Sequence, residues 1–202
     1  GQVGSQLRTA LAPLGEVVAA DRASGWDLAD PAALAARVEA LAPEVIVNAA
    51  AYTAVDRAES EPALAHRVNA EAPAALATAA RVLGAWLVHY STDYVFDGSG
   101  TRPWREDDAT DPLNAYGRTK LEGEQRVQQA GPRHLVFRAS WLYAARGGNF
   151  ARTMLRLARQ REQLSVVDDQ FGSPTDADLV ADVTAHAVRA VWANPALAGL
   201  YH

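Results

Sequence analysis

A tyrosine and a lysine stand four residues apart in the sequence, as Tyr116 and Lys120. If this segment is helical, both side chains lie on one face, one turn apart. An ammonium group close to a phenol stabilises the phenolate, so we expect Lys120 to lower the pKa of Tyr116 from its usual value of about 10. Tyr116 would then donate and accept protons at neutral pH. Such a pair alone is also common on helix surfaces. The neighbouring motifs must therefore decide whether this pair is catalytic or a coincidence of the surface.

Further polar groups follow the short apolar stretches of the chain. Thr92 follows one of them, and its hydroxyl could hydrogen-bond a substrate oxygen. Three alanines, Ala49, Ala50 and Ala51, follow another stretch, and their small side chains would let the backbone approach a planar ligand. Doubly wound sheets bind such ligands at the carboxyl ends of their strands. Close packing of a helix is the alternative explanation of the alanines.

Residues 1–4, with glycine at the first and last position, open a predicted helix. Backbone N–H groups and the helix dipole favour a pyrophosphate at such a place. Only half of the dinucleotide fingerprint is present, so a simple turn is the alternative. Asp21 stands roughly 20 residues further on, where an acidic side chain commonly binds ribose hydroxyls. Arg22 could accept a 2′-phosphate instead, and a solvated strand end would explain both residues without a ligand.

Apolar stretches alternate with longer helical patterns rich in alanine and leucine. This alternation predicts βαβ units in an α/β fold with a mostly parallel, doubly wound, Rossmann-like sheet. Asp30 and Pro31 form a strong helix start signal. The predicted strands are residues 16–20, 45–48, 86–90 and 135–138, followed by a strand-like segment at 199–202. The predicted helices are residues 3–12, 31–41, 63–83, 115–129, 150–161 and 178–192.

The sequence shows no strand before its first glycine and stops on a strand-like segment. We therefore expect a fragment without its first strand and its carboxyl terminus, and weak cofactor binding by the chain alone. Residues 1–145 would form an N-terminally truncated dinucleotide-binding domain. Residues 146–202 would begin a small C-terminal substrate-binding region, interleaved with the last Rossmann elements.

Composition narrows the functional classes. A net charge of −5 argues against nucleic acid as a partner. Because the chain has no cysteine, a disulfide framework and a thiolate metal site are excluded, and a cytoplasmic location is the default expectation. No apolar run approaches the roughly 20 residues that span a bilayer, so we expect no membrane partner. The five histidines lack the spacing of a metal site, so we expect no metal and structural roles for them.

Several longer strings are typical of one enzyme family. They include STDYVFDG at 91–98, PLNAYGRTKLEGE at 112–124 and DQFGSPT at 169–175, together with residues 1–4, 47–56, 58–62, 138–143 and 148–150. In order and spacing they resemble the dTDP-4-dehydrorhamnose reductases of the extended short-chain dehydrogenase/reductase superfamily. The resemblance runs over nearly the whole chain.

The resemblance implies a role for each matching position. The catalytic set would be Thr92, Tyr116 and Lys120. Substrate contacts would come from Thr92, Asp93, Tyr94 and Trp141, with Asp168, Gln170 and Pro174 shaping the pocket from a later loop. Cofactor contacts would come from Gly1, Gln2, Val3, Gly4, Asp21, Asp27, Leu28, Ala49, Ala50, Ala51, Tyr52, Tyr116 and Lys120.

The implied reaction is hydride transfer from NADPH or NADH to the C4 carbonyl of dTDP-4-dehydro-L-rhamnose, giving dTDP-L-rhamnose for bacterial surface polysaccharide. Tyr116 would deliver the proton, Lys120 would sustain its acidity, and Thr92 would orient the carbonyl. Related dehydratases place an Asp-Glu pair after the threonine, whereas this chain has Asp93 and Tyr94, which favours reduction over elimination.

Other functions stay open at this point. A 4-epimerase or another nucleotide-sugar reductase could use the same residues. A non-enzymatic dinucleotide-binding protein, like the regulatory subunit of methionine adenosyltransferase, is a further alternative. The preference between NADP and NAD stays open as well, because Asp21 and Arg22 favour opposite cofactors. The partner would be a dTDP-4-dehydro-6-deoxy sugar, and a homodimer is compatible with the family.

Overall fold

A computed structural model describes residues 1–202 of the chain. Its main sheet has four parallel strands in the order β1-β2-β3-β6, namely β1 Val45–Asn48, β2 Trp86–Ser91, β3 His134–Arg138 and β6 Gly199–Tyr201. Every residue of β2 is buried, as expected for a central parallel strand. The predicted α/β class with a parallel sheet is confirmed, and β1 has the predicted bounds.

The chain also contains eight α-helices. They are α1 Gln2–Leu11, α2 Pro31–Leu41, α3 Val55–Ser60, α4 Pro62–His66, α5 Ala72–Leu83, α6 Ala115–Ala130, α7 Phe150–Ala158 and α8 Ala177–Ala193. A short second sheet pairs β4 Leu142–Tyr143 with β5 Thr175–Asp176 in parallel. None of the helices is both long and apolar enough to cross a membrane.

The chain forms two compact units. Residues 18–139 and 187–202, here called the sheet unit, contain the four-stranded sheet. Residues 1–17 and 140–186, here called the α1–α7 unit, contain α1, α7 and the two-stranded sheet. Residues 1–17 therefore cluster with a later part of the sequence, whereas the predicted domain division groups them with residues up to 145.

The core of the sheet unit lies between its sheet and three helices. Helix α5 packs against both α2 and α6. Leu76 of α5 belongs to the same buried cluster as Ile46 of β1, Leu87 of β2 and Val136 of β3. Helix α2 begins as predicted, because the Asp30 side chain accepts a hydrogen bond from the backbone of the third helical residue.

The prediction of a strand at residues 16–20 is wrong. The segment is irregular, and no strand of either sheet pairs with it. Val17 and Val18 are 38% and 53% exposed, so the segment also buries little apolar surface. An apolar pattern becomes a strand only where a neighbouring strand offers partners for its backbone N–H and C=O groups.

The helix predicted at residues 63–83 is present, but it is interrupted. Residues 67–71 form a π-helical turn between α4 and α5. Pro73 follows this turn and has no N–H to bond the carbonyl of Asn69, four residues earlier, so the regular hydrogen-bond ladder cannot continue there. Helix α3 has only six residues and was not predicted.

Candidate active site

Helix α6 carries Tyr116 and Lys120, and two side chains fix its first turn. Asn114 caps the helix by accepting a hydrogen bond of 2.8 Å from the N–H of the third helical residue. Glu59 of α3 accepts a hydrogen bond of 2.6 Å from the N–H of the first. Its carboxylate also suits the positive end of the helix. Tyr116 and Lys120 are 9% and 2% exposed, so both lie on the buried face, as their spacing predicts.

Two glycines let α6 approach its neighbours closely. A side chain at Gly117 would overlap the backbone carbonyl oxygen of Tyr94. A side chain at Gly123 would overlap the carbonyl oxygen of Asn69 in the π-helical turn. These glycines therefore set the distance between the helix of the tyrosine and lysine and the segments on either side of it.

Thr92 directly follows β2 and is 4% exposed. Its Oγ1 accepts a hydrogen bond from the N–H of Tyr94 at 3.2 Å and donates one to Oδ1 of Asp93 at 3.1 Å. It also lies close enough to the Tyr116 side chain to lower the pKa of the phenol. The structure thus brings together the threonine and the tyrosine, which the sequence separates by 24 residues.

The sequence predicts a lowered pKa for Tyr116, and this prediction is wrong for the site as it stands. Burial raises the pKa of Tyr116 to about 12, the carboxylate of Asp93 and the phenol of Tyr94 raise it further, and the hydrogen bond with Thr92 acts against them. Lys120 is not among the groups that shift this pKa. A phenol in this state keeps its proton throughout the physiological pH range.

Lys120 is buried against β2 instead. Its Nζ donates a hydrogen bond of 2.6 Å to the carbonyl oxygen of Tyr90 and lies 3.5 Å from Nε2 of His89. Burial lowers the pKa of Lys120 to about 8, and Glu124, one turn further along α6, acts in the opposite direction. Lys120 is the single lysine among the 19 Lys and Arg residues of the chain. Because arginine cannot lose its proton near neutral pH, this use of lysine was a functional signal in the sequence.

Asp93 and Tyr94, the predicted substrate contacts, lie beside Tyr116. The rings of Tyr94 and Tyr116 pack edge to face, with centroids 5.6 Å apart. Burial raises the pKa of Asp93, and its hydrogen bond from Thr92 partly offsets this. The segment after β2 therefore places the Asp93 carboxylate on the Thr92 hydroxyl and the Tyr94 ring against Tyr116 of α6.

Asn69 is a site residue that the sequence analysis missed. It lies in the π-helical turn and is 1% exposed. Its Oδ1 accepts a hydrogen bond from the N–H of Tyr52 at 2.9 Å, and its Nδ2 donates to the carbonyl oxygen of Tyr52 at 3.0 Å and to Oγ1 of Thr119 at 3.2 Å. Asn69 thus connects the loop after β1 to α6. A lone asparagine in an alanine-rich helical pattern was the available signal, because π-turns often mark functional sites.

The predicted cofactor residues after β1 form an open backbone segment. Ala50 and Ala51 are exposed, and Ala49 is half-buried. The N–H of Ala50 donates to Oδ1 of Asn48 at 3.3 Å, which turns the chain at the strand end. The hydroxyl of Tyr52 donates to the carboxylate of Glu61 at 2.5 Å, and this hydrogen bond raises the pKa of Tyr52. No large side chain covers the three alanines from within their own segment.

The predicted ribose-binding residues lie at helical turns of the sheet unit. The carboxylate of Asp21 accepts hydrogen bonds from the N–H and the hydroxyl of Ser24, which lower its pKa. Asp21 and Arg22 are exposed. Asp27 accepts a hydrogen bond from the N–H two residues ahead, and Leu28 packs against the core of the sheet unit.

The glycine segment lies in the α1–α7 unit. Gly1 precedes α1, no side chain caps this helix, and its first turn has no acidic residue. Val3 is buried, whereas Gln2 uses its side chain to bind Asn149 and the carbonyl of Leu142. The first turn therefore offers backbone N–H groups free of side-chain caps, as a diphosphate requires.

Trp141 has an unusual backbone conformation in the same unit. Its φ is 46°, in the left-handed region, which is costly for a residue with a side chain. A side chain at Gly172 would overlap its indole ring, and the N–H of Thr175 donates to its carbonyl oxygen at 3.3 Å. The segment after α7 thus holds Trp141, which stays 45% exposed. The exposed residues of this segment include Asp168, Gln170 and Pro174.

Comparison with known proteins decides the family. The family model described as the RmlD substrate binding domain matches residues 1–202. The dTDP-4-dehydrorhamnose reductase of Salmonella typhimurium is 57% identical over 205 residues, which is all of this chain and 69% of that protein. The chain belongs to the dTDP-4-dehydrorhamnose reductase family.

Two further members of this family show the same likeness. The reductase of Escherichia coli K12 is 56% identical, again over the whole chain and 69% of that protein. The crystal structure of the reductase of Bacillus anthracis in complex with NADP is 37% identical, with a TM-score of 0.90 over 100% of this chain and 70% of the other. The resemblance on which the sequence analysis relied is confirmed.

Within each unit, the residues present fit a nicotinamide dinucleotide. The sheet unit offers the exposed alanines after β1, and it contains a buried hydroxyl without a hydrogen-bond partner, that of Ser91 at the end of β2. The α1–α7 unit offers the uncapped start of α1. No group of three or more His, Cys, Asp or Glu side chains is arranged to hold a metal ion.

Proposed function

We propose that this chain reduces the C4 carbonyl of dTDP-4-dehydro-L-rhamnose to the alcohol of dTDP-L-rhamnose, with NADPH or NADH as the hydride donor. The observation that carries the proposal is that Tyr116 is buried beside Thr92 and Asp93, with the single lysine one turn further along the same buried helix face. The names of the relatives supply the substrate, and the NADP complex of the B. anthracis reductase supports the cofactor.

Tyr116 is the general acid of the reaction. Reduction of a carbonyl turns its oxygen into an alkoxide, which must gain a proton. Because the pKa of Tyr116 is about 12, the phenol carries its proton at neutral pH and is still more acidic than an alcohol. Proton transfer from Tyr116 to the new alkoxide is therefore favourable. At neutral pH the raised pKa thus keeps Tyr116 in the protonated form that carbonyl reduction needs, whereas oxidation of an alcohol would need the phenolate.

Thr92 and Lys120 prepare this transfer. The Thr92 hydroxyl lies beside the Tyr116 side chain, so it can orient the carbonyl oxygen next to the phenol. The Lys120 ammonium uses one donor on Tyr90 and keeps others for a ribose hydroxyl.

The bound cofactor supplies the hydride. In the sheet unit, the alanines after β1 would contact this cofactor. In the α1–α7 unit, the uncapped start of α1 offers backbone N–H groups of the kind that bind a diphosphate. Asp21 would take the ribose hydroxyls of NADH, and Arg22 would take the 2′-phosphate of NADPH. In the sheet unit, Asp93 and Tyr94 would hydrogen-bond the nucleotide sugar. In the α1–α7 unit, Trp141 offers an exposed apolar face of the kind that packs on a sugar. Because nucleotide sugars and reduced nicotinamides are cytosolic metabolites, we place the reaction in the cytoplasm.

The test is an assay of NADPH oxidation with the dTDP-keto-sugar, in which oxidation is measured as a loss of absorbance. Tyr116→Phe should reduce kcat by roughly 10²- to 10⁴-fold while cofactor affinity is retained. Tyr201→Phe is the matched control, because the Tyr201 hydroxyl only donates to the carbonyl of Leu197, and it should keep full activity.

Two outcomes would point elsewhere. If NADPH binds but no substrate-dependent oxidation occurs, the chain is a binding module of the regulatory-subunit kind. If the sugar is interconverted without net consumption of NADPH, the reaction is epimerisation. Equal activities of the Tyr116→Phe variant and the parent chain would remove Tyr116 from the mechanism.

A further inference from the structure

His89 lies in the centre of β2 and is 1% exposed. Its Nε2 is 3.5 Å from Nζ of Lys120, and its Nδ1 is 3.2 Å from Nδ2 of Asn48. Asn48 is its direct register partner on β1 and is 6% exposed. A buried row therefore runs from Asn48 through His89 to Lys120.

The hydrogen bonds of this row have a direction. Oδ1 of Asn48 accepts the N–H of Ala50 at 3.3 Å, so its amide nitrogen faces His89. An amide nitrogen only donates, so Nδ1 of His89 must accept. In the neutral imidazole the proton then sits on Nε2 and faces Lys120. A facing N–H can donate to a neutral amine but gives no support to an ammonium, which is itself only a donor.

We propose that Asn48 and His89 are positioning residues for Lys120: they hold its amine from the side of the sheet and favour its uncharged form through the Nε2–H tautomer of His89. This role goes beyond the catalytic set that family membership implies. It rests on the proposed function only in so far as Lys120 takes part in the reaction.

The other charged and titratable groups around Lys120 do not account for a preference for the uncharged amine. Glu124 on α6 supports the ammonium, but it is bound to Arg138 of β3, at 2.8 Å and almost fully buried, so the two charges largely offset each other. Tyr116 and Tyr94 are neutral at physiological pH because their pKa values are raised, and Asp93 lies beside Tyr116. His89 itself stays neutral, because burial and the nearby ammonium hold its pKa well below the usual value.

The first test uses the chain without variants, cofactor or substrate. Nitrogen NMR of the histidines should show His89 as the neutral Nε2–H tautomer from pH 6 to pH 9. Selective ¹³C labelling of lysine gives one side-chain signal to follow, since Lys120 is the only lysine. It should titrate near pH 8. A protonated His89 or the Nδ1–H tautomer would overturn the proposal, and this measurement does not depend on any variant folding.

The second test reverses the hydrogen-bond direction between His89 and Lys120. His89→Gln lets an amide oxygen turn to Lys120, and Asn48→Asp requires a proton on Nδ1 and turns Nε2 into an acceptor. Each should move the lysine titration up by about one pH unit or more. The matched control is His134→Gln, because His134 bonds the carbonyl of Gly131 at the start of β3. It should leave the lysine titration unchanged.

The pH dependence of kcat/KM separates this proposal from the proposed function. If both hold, the alkaline limb moves upward together with the lysine titration in His89→Gln and Asn48→Asp. If the lysine titration moves in a chain that oxidises no NADPH, the positioning role stands and the proposed function fails. A lysine titration that neither variant shifts, in folded protein, contradicts the positioning role even when the enzyme is active.

Discussion

At the scale of single residues, the site places a lysine where it costs stability. Lys120 is 2% exposed, and burial lowers its pKa to about 8, from 10.5 in the open chain. The unfolded chain therefore holds this proton more tightly than the folded one. Below pH 8 both states carry the charge, and the folded state bears the full cost of burying it. The cost decreases as the pH rises from 8 to 10.5 and is absent above that range.

Replacing Lys120 by methionine should stabilise the fold while abolishing activity. At pH 7 we expect a gain of up to roughly 3 kcal/mol in the free energy of unfolding, reduced by the lost hydrogen bond to Tyr90. The difference from the parent chain should shrink between pH 8 and pH 10.5, as measured by urea unfolding. Arg189→Met removes an exposed cation and should show no such trend. A difference that grows with pH would contradict the assignment of the buried charge.

At the scale of elements, the position of α6 depends on two glycines and a π-helical turn. Gly117 and Gly123 admit backbone carbonyl groups where any side chain would overlap them. Asn69 then binds the loop after β1 to the same helix. The position of Tyr116 and Lys120 is thus set by the packing of one helix against two irregular segments.

Gly123→Ala should push α6 away from the π-helical turn. The added methyl group meets a backbone oxygen that cannot move aside cheaply, so we expect a loss of about 1–3 kcal/mol in unfolding free energy and a lower kcat. Gly131→Ala is the control at the end of the same helix, where a methyl group meets only the flexible Arg81 side chain at 3.8 Å. If both variants have the same thermal unfolding and turnover, the close approach of α6 to the π-helical turn contributes to neither stability nor activity.

Asn69→Ala should weaken cofactor binding more than it slows turnover. It leaves the N–H and C=O of Tyr52 without their partner, at a cost of about 1–3 kcal/mol. The backbone after β1 should then become mobile, and the KM for NADPH should rise. Asn69→Asp keeps the acceptor for the Tyr52 N–H. Its KM for NADPH should lie between those of the parent chain and Asn69→Ala. An unchanged KM in Asn69→Ala would show that the loop does not need this side chain.

The elements also show what sequence can predict. Asp30 and Pro31 predicted the start of α2 correctly, because a cap acts locally. The bounds of β1 followed from a short apolar run. By contrast, residues 16–20 have the same kind of run and form no strand, since pairing depends on distant residues. The raised pKa of Tyr116 was also out of reach, because it reflects burial beside Asp93 and Tyr94.

At the scale of the whole molecule, family membership and the parallel sheet agree with the sequence analysis. The division at residue 145, the homodimer and the weak cofactor binding of the chain alone stay predictions. The contacts described above for Thr92, Tyr116 and Lys120 lie within the sheet unit.

The solitary lysine gives the molecule one more property. A protease that cuts only after lysine has a single peptide bond available to it, in the middle of α6 and at a residue that is 2% exposed. The native chain should resist digestion, and unfolding should release two fragments, residues 1–120 and 121–202. Appearance of the two fragments on a gel would report the population of opened molecules. Rapid cutting under native conditions would show that α6 opens locally. Cleavage after Lys120 would thus measure the local stability of the helix that carries it.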